Sequence, residues 1–133
     1  MTPTMTATRI STARAYPVLP AEDLSRARTF YHDTLGFEVV DMPEMRQFLL
    51  QAGDGTGAIV YERGRTKAEH TVATFVVDDL LATMEELRSR GVSFEEYDLP
   101  GLKTVNGVAN AGGDQSAWFT DTEGNIVSLA HMS

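Results

Sequence analysis

The 133-residue chain is 42% hydrophobic and 23% charged, the make-up of one globular domain able to bury its own core. With 19 acidic against 11 basic residues its formal charge is −8, and no cluster of Lys and Arg offers a surface for nucleic acid or an anionic membrane. The absence of cysteine excludes disulfides, thiolate metal sites and a cysteine nucleophile, and no window holds the ~18 consecutive apolar residues of a membrane span.

Residues 1–13 lack the apolar core of a secretory signal and read as a loose tail on a cytoplasmic protein, leaving 14–133 as a single domain. AYPVLP at 15–20 predicts a strand, irregular or at an edge because of its prolines. Asp23 is placed to cap a helix, since its carboxylate can accept from the free amides of the first turn. Leu24, Ala27, Tyr31 and Leu35 recur at spacings of three and four along that helix, and Gly36 ends it. Strands are expected at 37–41, 45–52 and 57–62, the last two joined through the DGTG turn at 54–57.

After the charged linker RGRTKAEH the pattern returns. A strand at 71–77 leads to Asp79 as a second helix cap, a stripe of Leu80, Met84 and Leu87, the break at Gly91 and a strand at 92–97. Two closing strands, 116–120 and 126–130, flank the turn Asp121 to Asn125. Asp23 to Gly36 spans 13 positions and Asp79 to Gly91 spans 12, so the chain reads as two copies of one unit, about 14–64 and 70–131. Only the segment 98–114 has no counterpart. It is rich in Gly, Pro and Asn yet carries Leu99, Leu102, Val105 and Val108, which suits a cover over a pocket.

Little here bears catalytic chemistry. The acidic pairs Glu22–Asp23 and Asp78–Asp79 stand at helix starts, where free amides and the helix dipole account for them. Asp121 and Glu123 read as turn residues, and His32 and His131 as surface or chain-end residues. Neither a nucleophile elbow nor a phosphate-binding loop is present.

The runs DLSRARTFYHDTLGFEVV, VVDDLLATMEELRSRGV and WFTDTEGNIVSL resemble the vicinal oxygen chelate superfamily, which holds glyoxalase I, extradiol dioxygenases and the bleomycin-resistance proteins. The resemblance covers about residues 14–131. It implies an α+β fold of two βαβββ modules whose curved sheets make a barrel-like cleft, commonly completed across a module-paired or swapped homodimer. Metal-dependent relatives carry ligands at matching places on the first and last strands of each module. Carried over, those slots fall on Tyr16, Val72, Tyr61 and Ser128. Valine cannot ligate, and tyrosine and serine bind divalent ions poorly while they keep their protons. A slip of the alignment brings His70 or Glu62 closer, still short of a three-ligand site.

The resemblance therefore implies a member without metal or other cofactor, a binding protein rather than an enzyme. Its expected ligand is a small aromatic natural product or antibiotic, of the bleomycin, mitomycin or anthraquinone-enediyne kind, held by sequestration so as to confer resistance. Expected ligand-lining residues are Tyr16, Phe48, Tyr61, His70, Val72, Leu102, Trp118 and Ser128. Tyrosine and tryptophan offer a broad apolar face with one polar handle, which suits a ring-bearing ligand. The alternative is a glyoxalase-like enzyme, either a metal-dependent lyase or dioxygenase or a metal-free isomerase or hydrolase using His70 and a tyrosine.

Overall fold

A computed structural model describes residues 10–67 and 69–132. Most of the tail expected over 1–13 lies outside the described residues, which begin with a single helical turn at Ile10–Thr12. Two four-stranded sheets follow with the same internal plan. In the first, β1 (Val18–Ala21) lies parallel to β4 (Gly57–Glu62), followed by β3 (Gln47–Gln51) and β2 (Glu38–Met42), both antiparallel to their neighbours. In the second, β5 (Thr71–Val76) lies parallel to β10 (Ile126–His131), followed by β9 (Asp114–Thr120) and β8 (Ala109–Ala111). The shared order bears out the duplication.

Helix α1 (Leu24–Thr29) starts where expected, with the Asp23 carboxylate accepting from the amide of Arg26. It runs straight into a wider turn at Phe30–Thr34, where the Leu35 amide reaches back five residues to the carbonyl of Phe30. Helix α2 (Leu80–Ser89) repeats the device, with Asp79 accepting from the amide of Ala82. Gly36 and Gly91 follow the two helices at φ of 88° and 93°, a left-handed backbone that side chains with a Cβ resist. Each helix packs on its own sheet, α1 on β4 and α2 on β9 and β10.

One face of each sheet is buried in a common core. Leu19, Leu50, Ala58 and Val60 supply it from the first sheet, and Ala73, Ala117, Phe119, Val127 and Leu129 from the second. Aromatic contacts bridge the modules, Phe30 to Phe119 at 6.2 Å and Phe37 to Phe75 at 4.8 Å between ring centroids.

Two strand expectations need correction. Residues 92–97 form no strand, because the edge of β9 is shared between two segments. The Glu95 amide donates to the Trp118 carbonyl at 2.8 Å, and β8 takes the remainder of that edge. The segment 98–114 is also not an unstructured loop. It holds the hairpin β6 (Asp98–Leu99) and β7 (Leu102–Lys103), a bridge from Val105 to Val108, and β8. Glu96 ties it down, accepting from the Thr104 hydroxyl at 2.6 Å and from the Gly107 amide at 2.9 Å. Those two donors hold the Glu96 carboxyl below its ordinary range.

Candidate functional site

Strand alternation and register settle which residues the sheets turn away from the core. On the first sheet these are Val18 and Pro20 of β1, Ile59 and Tyr61 of β4, Gln47 and Leu49 of β3, and Val40 and Met42 of β2. On the second they are Thr74 and Val76 of β5, Ser128 and Ala130 of β10, and Ser116 and Trp118 of β9. Apolar side chains stand exposed on both, Val18 at 54% and Val76 at 62%.

Trp118 and Ser128 are direct cross-strand partners in the centre of the second outer face, and Ser128 is aligned with Thr74 on its other side. The Thr74 and Ser128 hydroxyls lie 2.6 Å apart. The Trp118 ring meets Tyr97 edge to face at 5.5 Å between centroids. Tyr61 is half-buried on the first outer face, between Pro20 and Gln47. Tyr16 precedes β1, and its hydroxyl donates to the Gly55 carbonyl at 3.3 Å. It lies four residues before Pro20, so about 13 Å of extended strand separates it from the Tyr61 row. The two tyrosines mark opposite ends of one face.

Phe48 does not belong to this surface. It is 1% exposed and aligned with Val60 on the core face, which corrects its expected place in the cleft. His70 lies exposed in the linker before β5 rather than on the strand. Val72 is half-buried at the irregularity between β5 and β10 and packs against the core. Leu102 sits half-buried in the β6–β7 hairpin, facing Leu99 across it.

Among the described residues no three His, Cys, Asp or Glu side chains come close enough to hold a metal ion. The four positions expected to match metal slots carry Tyr16, Val72, Tyr61 and Ser128, and this donor set does not fit a divalent cation.

Two cavities flank β5. One, of 490 Å³, is lined by Pro17, Asp54, Thr56, Ala73, Thr74 and Val76. Through Thr74 it adjoins the Trp118–Ser128 patch. The other, of 390 Å³, lies toward α2 and is floored by Leu35, Phe37, Phe75, Leu87 and Phe119, with the ion-paired Glu86 and Arg90 at its rim. Both volumes suit a small ligand. Neither is lined by Tyr61 or Trp118, which are half-buried, or by Ser128, which is buried.

The feature that the sequence concealed is a buried polar junction between the modules. The turn after β9 inserts against the start of α1. Glu123, 2% exposed, accepts from the Asp23 amide at 2.9 Å and from the Arg26 Nε and Nη2 at 2.7 and 3.0 Å. Asp121 accepts from the Tyr31 hydroxyl at 2.5 Å and from the Asn125 side chain at 2.9 Å, while Asn125 also donates to the Pro20 carbonyl. Burial alone would raise the Glu123 carboxyl. Arg26, the Asp23 amide and the Thr122 hydroxyl outweigh it and bring the group down to about 2. Burial, then the charge of Asp121, holds the Tyr31 hydroxyl well above 10. A capping carboxylate and a helical tyrosine gave no separate signal, since each looks complete within its own module.

The sequence profile of the Glyoxalase/Bleomycin resistance protein/Dioxygenase superfamily matches residues 13–129. Among curated proteins none matches at the level of sequence. Several solved structures share the fold. The crystal structure of UcmS2 is 22% identical with a TM-score of 0.68, over 90% of this chain and 97% of that one. TnmS3, an antibiotic binding protein from Streptomyces sp. CB03234, is 22% identical with a TM-score of 0.66, over 92% and 98%. Lactoylglutathione lyase from Agrobacterium tumefaciens is 18% identical with a TM-score of 0.68, over 90% and 93%.

Proposed function

The chain belongs to the Glyoxalase/Bleomycin resistance protein/Dioxygenase superfamily, and we propose that within it this protein binds and sequesters a small aromatic natural product or antibiotic without a metal. The observation that carries this reading is the second outer face. There Trp118 is the cross-strand partner of the buried Ser128, whose hydroxyl pairs on its other side with Thr74, a residue that lines a 490 Å³ cavity. An aromatic wall with a few placed polar groups is what holds a ring-bearing ligand, and it demands no chemistry. The donor set in the metal slots supports the metal-free part of the proposal. TnmS3, an antibiotic binder on the same fold, supports the ligand class.

The exposed Val18, Val40 and Val76 support a homodimer, in which a second copy would cover the outer faces and turn them into enclosed clefts. Sedimentation velocity tests this, with a monomer at micromolar concentration as the contrary result.

Trp118 is the sole tryptophan, so its fluorescence reports binding directly. Titration with bleomycin, mitomycin C and an anthraquinone should quench or shift its emission and raise the melting temperature for at least one of them. The bound compound should be recovered unchanged. Failure of every aromatic ligand to alter either signal would sink the proposal. So would stoichiometric metal in protein purified without chelators, which would favour a lyase or dioxygenase.

A further inference from the structure

We infer that the Tyr61 end of the first outer face selects aromatic ligands that carry an anionic group, with Arg63 as the residue that reads it. This rests on the proposed binding role of the outer faces and names the ligand chemistry there. The pairing of β4 with β1 continues one residue past Glu62, the Arg63 amide donating to the Ala21 carbonyl at 3.0 Å. Alternation then places the Arg63 side chain on the face that carries Tyr61. Its Nη1 lies 3.4 Å from the Tyr61 hydroxyl, as donor.

Among the described residues Arg63 has no carboxylate within 4 Å. Arg26, Arg28, Arg46, Arg65 and Arg90 each have one, at 2.7, 2.8, 3.6, 3.8 and 2.6 Å. Its sequence neighbour Glu62 pairs with Arg46, and Glu22 with Arg65. The acid on this outer face is Glu38, at the far end of the sheet, aligned with Gln51 and through it with Gly57. Six residues of strand separate Gly57 from Arg63, about 20 Å. That exceeds the ~8 Å over which charges act in physiological salt. Arg63 thus stands beside Tyr61 as a guanidinium with no ion-pair partner among the described residues.

The chemistry is specific. The ring of a ligand can lie on Tyr61 and Pro20, and the remaining donors of the Arg63 fork match the two oxygens of a carboxylate in two parallel hydrogen bonds. Lysine in its place would supply charge without the fork.

Three probes with one ring system separate these contributions: anthraquinone-2-carboxylate, 2-(hydroxymethyl)anthraquinone and 2-(aminomethyl)anthraquinone. Isothermal titration calorimetry of the full chain at low salt should show the carboxylate bound about fivefold to tenfold more tightly than the alcohol. The ammonium compound should be weakest. Arg63→Gln should erase the advantage of the carboxylate and leave the alcohol unchanged, while Arg63→Lys restores only part of it. Equal affinity for all three probes in the unaltered protein overturns the inference and leaves the sequestration reading standing. An Arg63→Gln loss shared alike by all three probes also overturns it. Failure of all three to bind also overturns the inference, while the sequestration reading then stands or falls on the titrations with bleomycin and mitomycin C.

Discussion

Replacement of Glu123 by glutamine tests the junction that joins the two modules. The substitution keeps the shape and removes the charge on which the Asp23 amide and the Arg26 guanidinium converge. Lowering the carboxyl from 4.5 to about 2 corresponds to about 3 kcal/mol of folding free energy at neutral pH. The Arg26 side chain is 45% exposed and partly screened, so about 2 kcal/mol is the expected cost of Glu123→Gln at pH 7. Because the folded carboxyl is depressed, its contribution is complete above the unfolded value near 4.5 and is lost as pH falls toward 2. Urea unfolding followed by Trp118 emission at pH 7, 5, 4 and 3 measures it. The difference between the two proteins should be full at pH 7 and 5 and shrink steadily below that. A difference under about 0.5 kcal/mol at pH 7, or one unchanged at pH 3, would refute the reasoning.

Four further outcomes follow from contacts at Tyr31, Gly57 and Asp79. Tyr31→Phe strips one of the two side-chain donors from the buried Asp121 Oδ2 and should cost roughly 1.5–3 kcal/mol, read from urea unfolding. In the unaltered protein Tyr31 should stay protonated past pH 10, its contribution being lost only as pH rises further. Absorbance titration should show one of the four tyrosines ionising only on unfolding. Gly57→Ala should cost about 3 kcal/mol or more, because the new Cβ would stand 2.1 Å from the Leu50 carbonyl oxygen, a backbone atom that cannot step aside. Asp79→Ala removes the cap of α2 and should cost about 1 kcal/mol, measured by thermal unfolding.

Local rules carried the fold a long way. Asp23 and Asp79 cap helices for the reason their position suggested, and Gly36 and Gly91 close them in the backbone conformation that glycine tolerates best. The strand at 57–62 and the common plan of the two sheets were legible for the same reason. Each depends on neighbours in sequence, and the duplicated spacing let one module vouch for the other.

The assignment of faces was less legible. In RQFLLQ both alternate sets contain apolar residues, so period two is visible while the choice of buried set is not. The structure resolves it by pairing Phe48 with Val60 under α1, leaving Leu49 and Gln47 outside. Residues 92–97 carry strand-forming side chains, but a strand also needs an edge to pair with, and β8, from a segment later in the chain, occupies the Asp114 to Ser116 part of that edge.

By itself the sequence determined two capped helices, the glycine breaks and most of the strands, because each of these is a matter of residue type and short-range spacing. Only the tertiary structure decided which sheet face is core and where Tyr61, Arg63, Trp118 and Ser128 stand relative to one another. It alone showed that Glu123 binds the start of α1 and Asp121 the turn that follows that helix, 100 and 90 residues earlier in the chain. Such partners are set by how the two modules dock, and no local pattern in the chain encodes that contact.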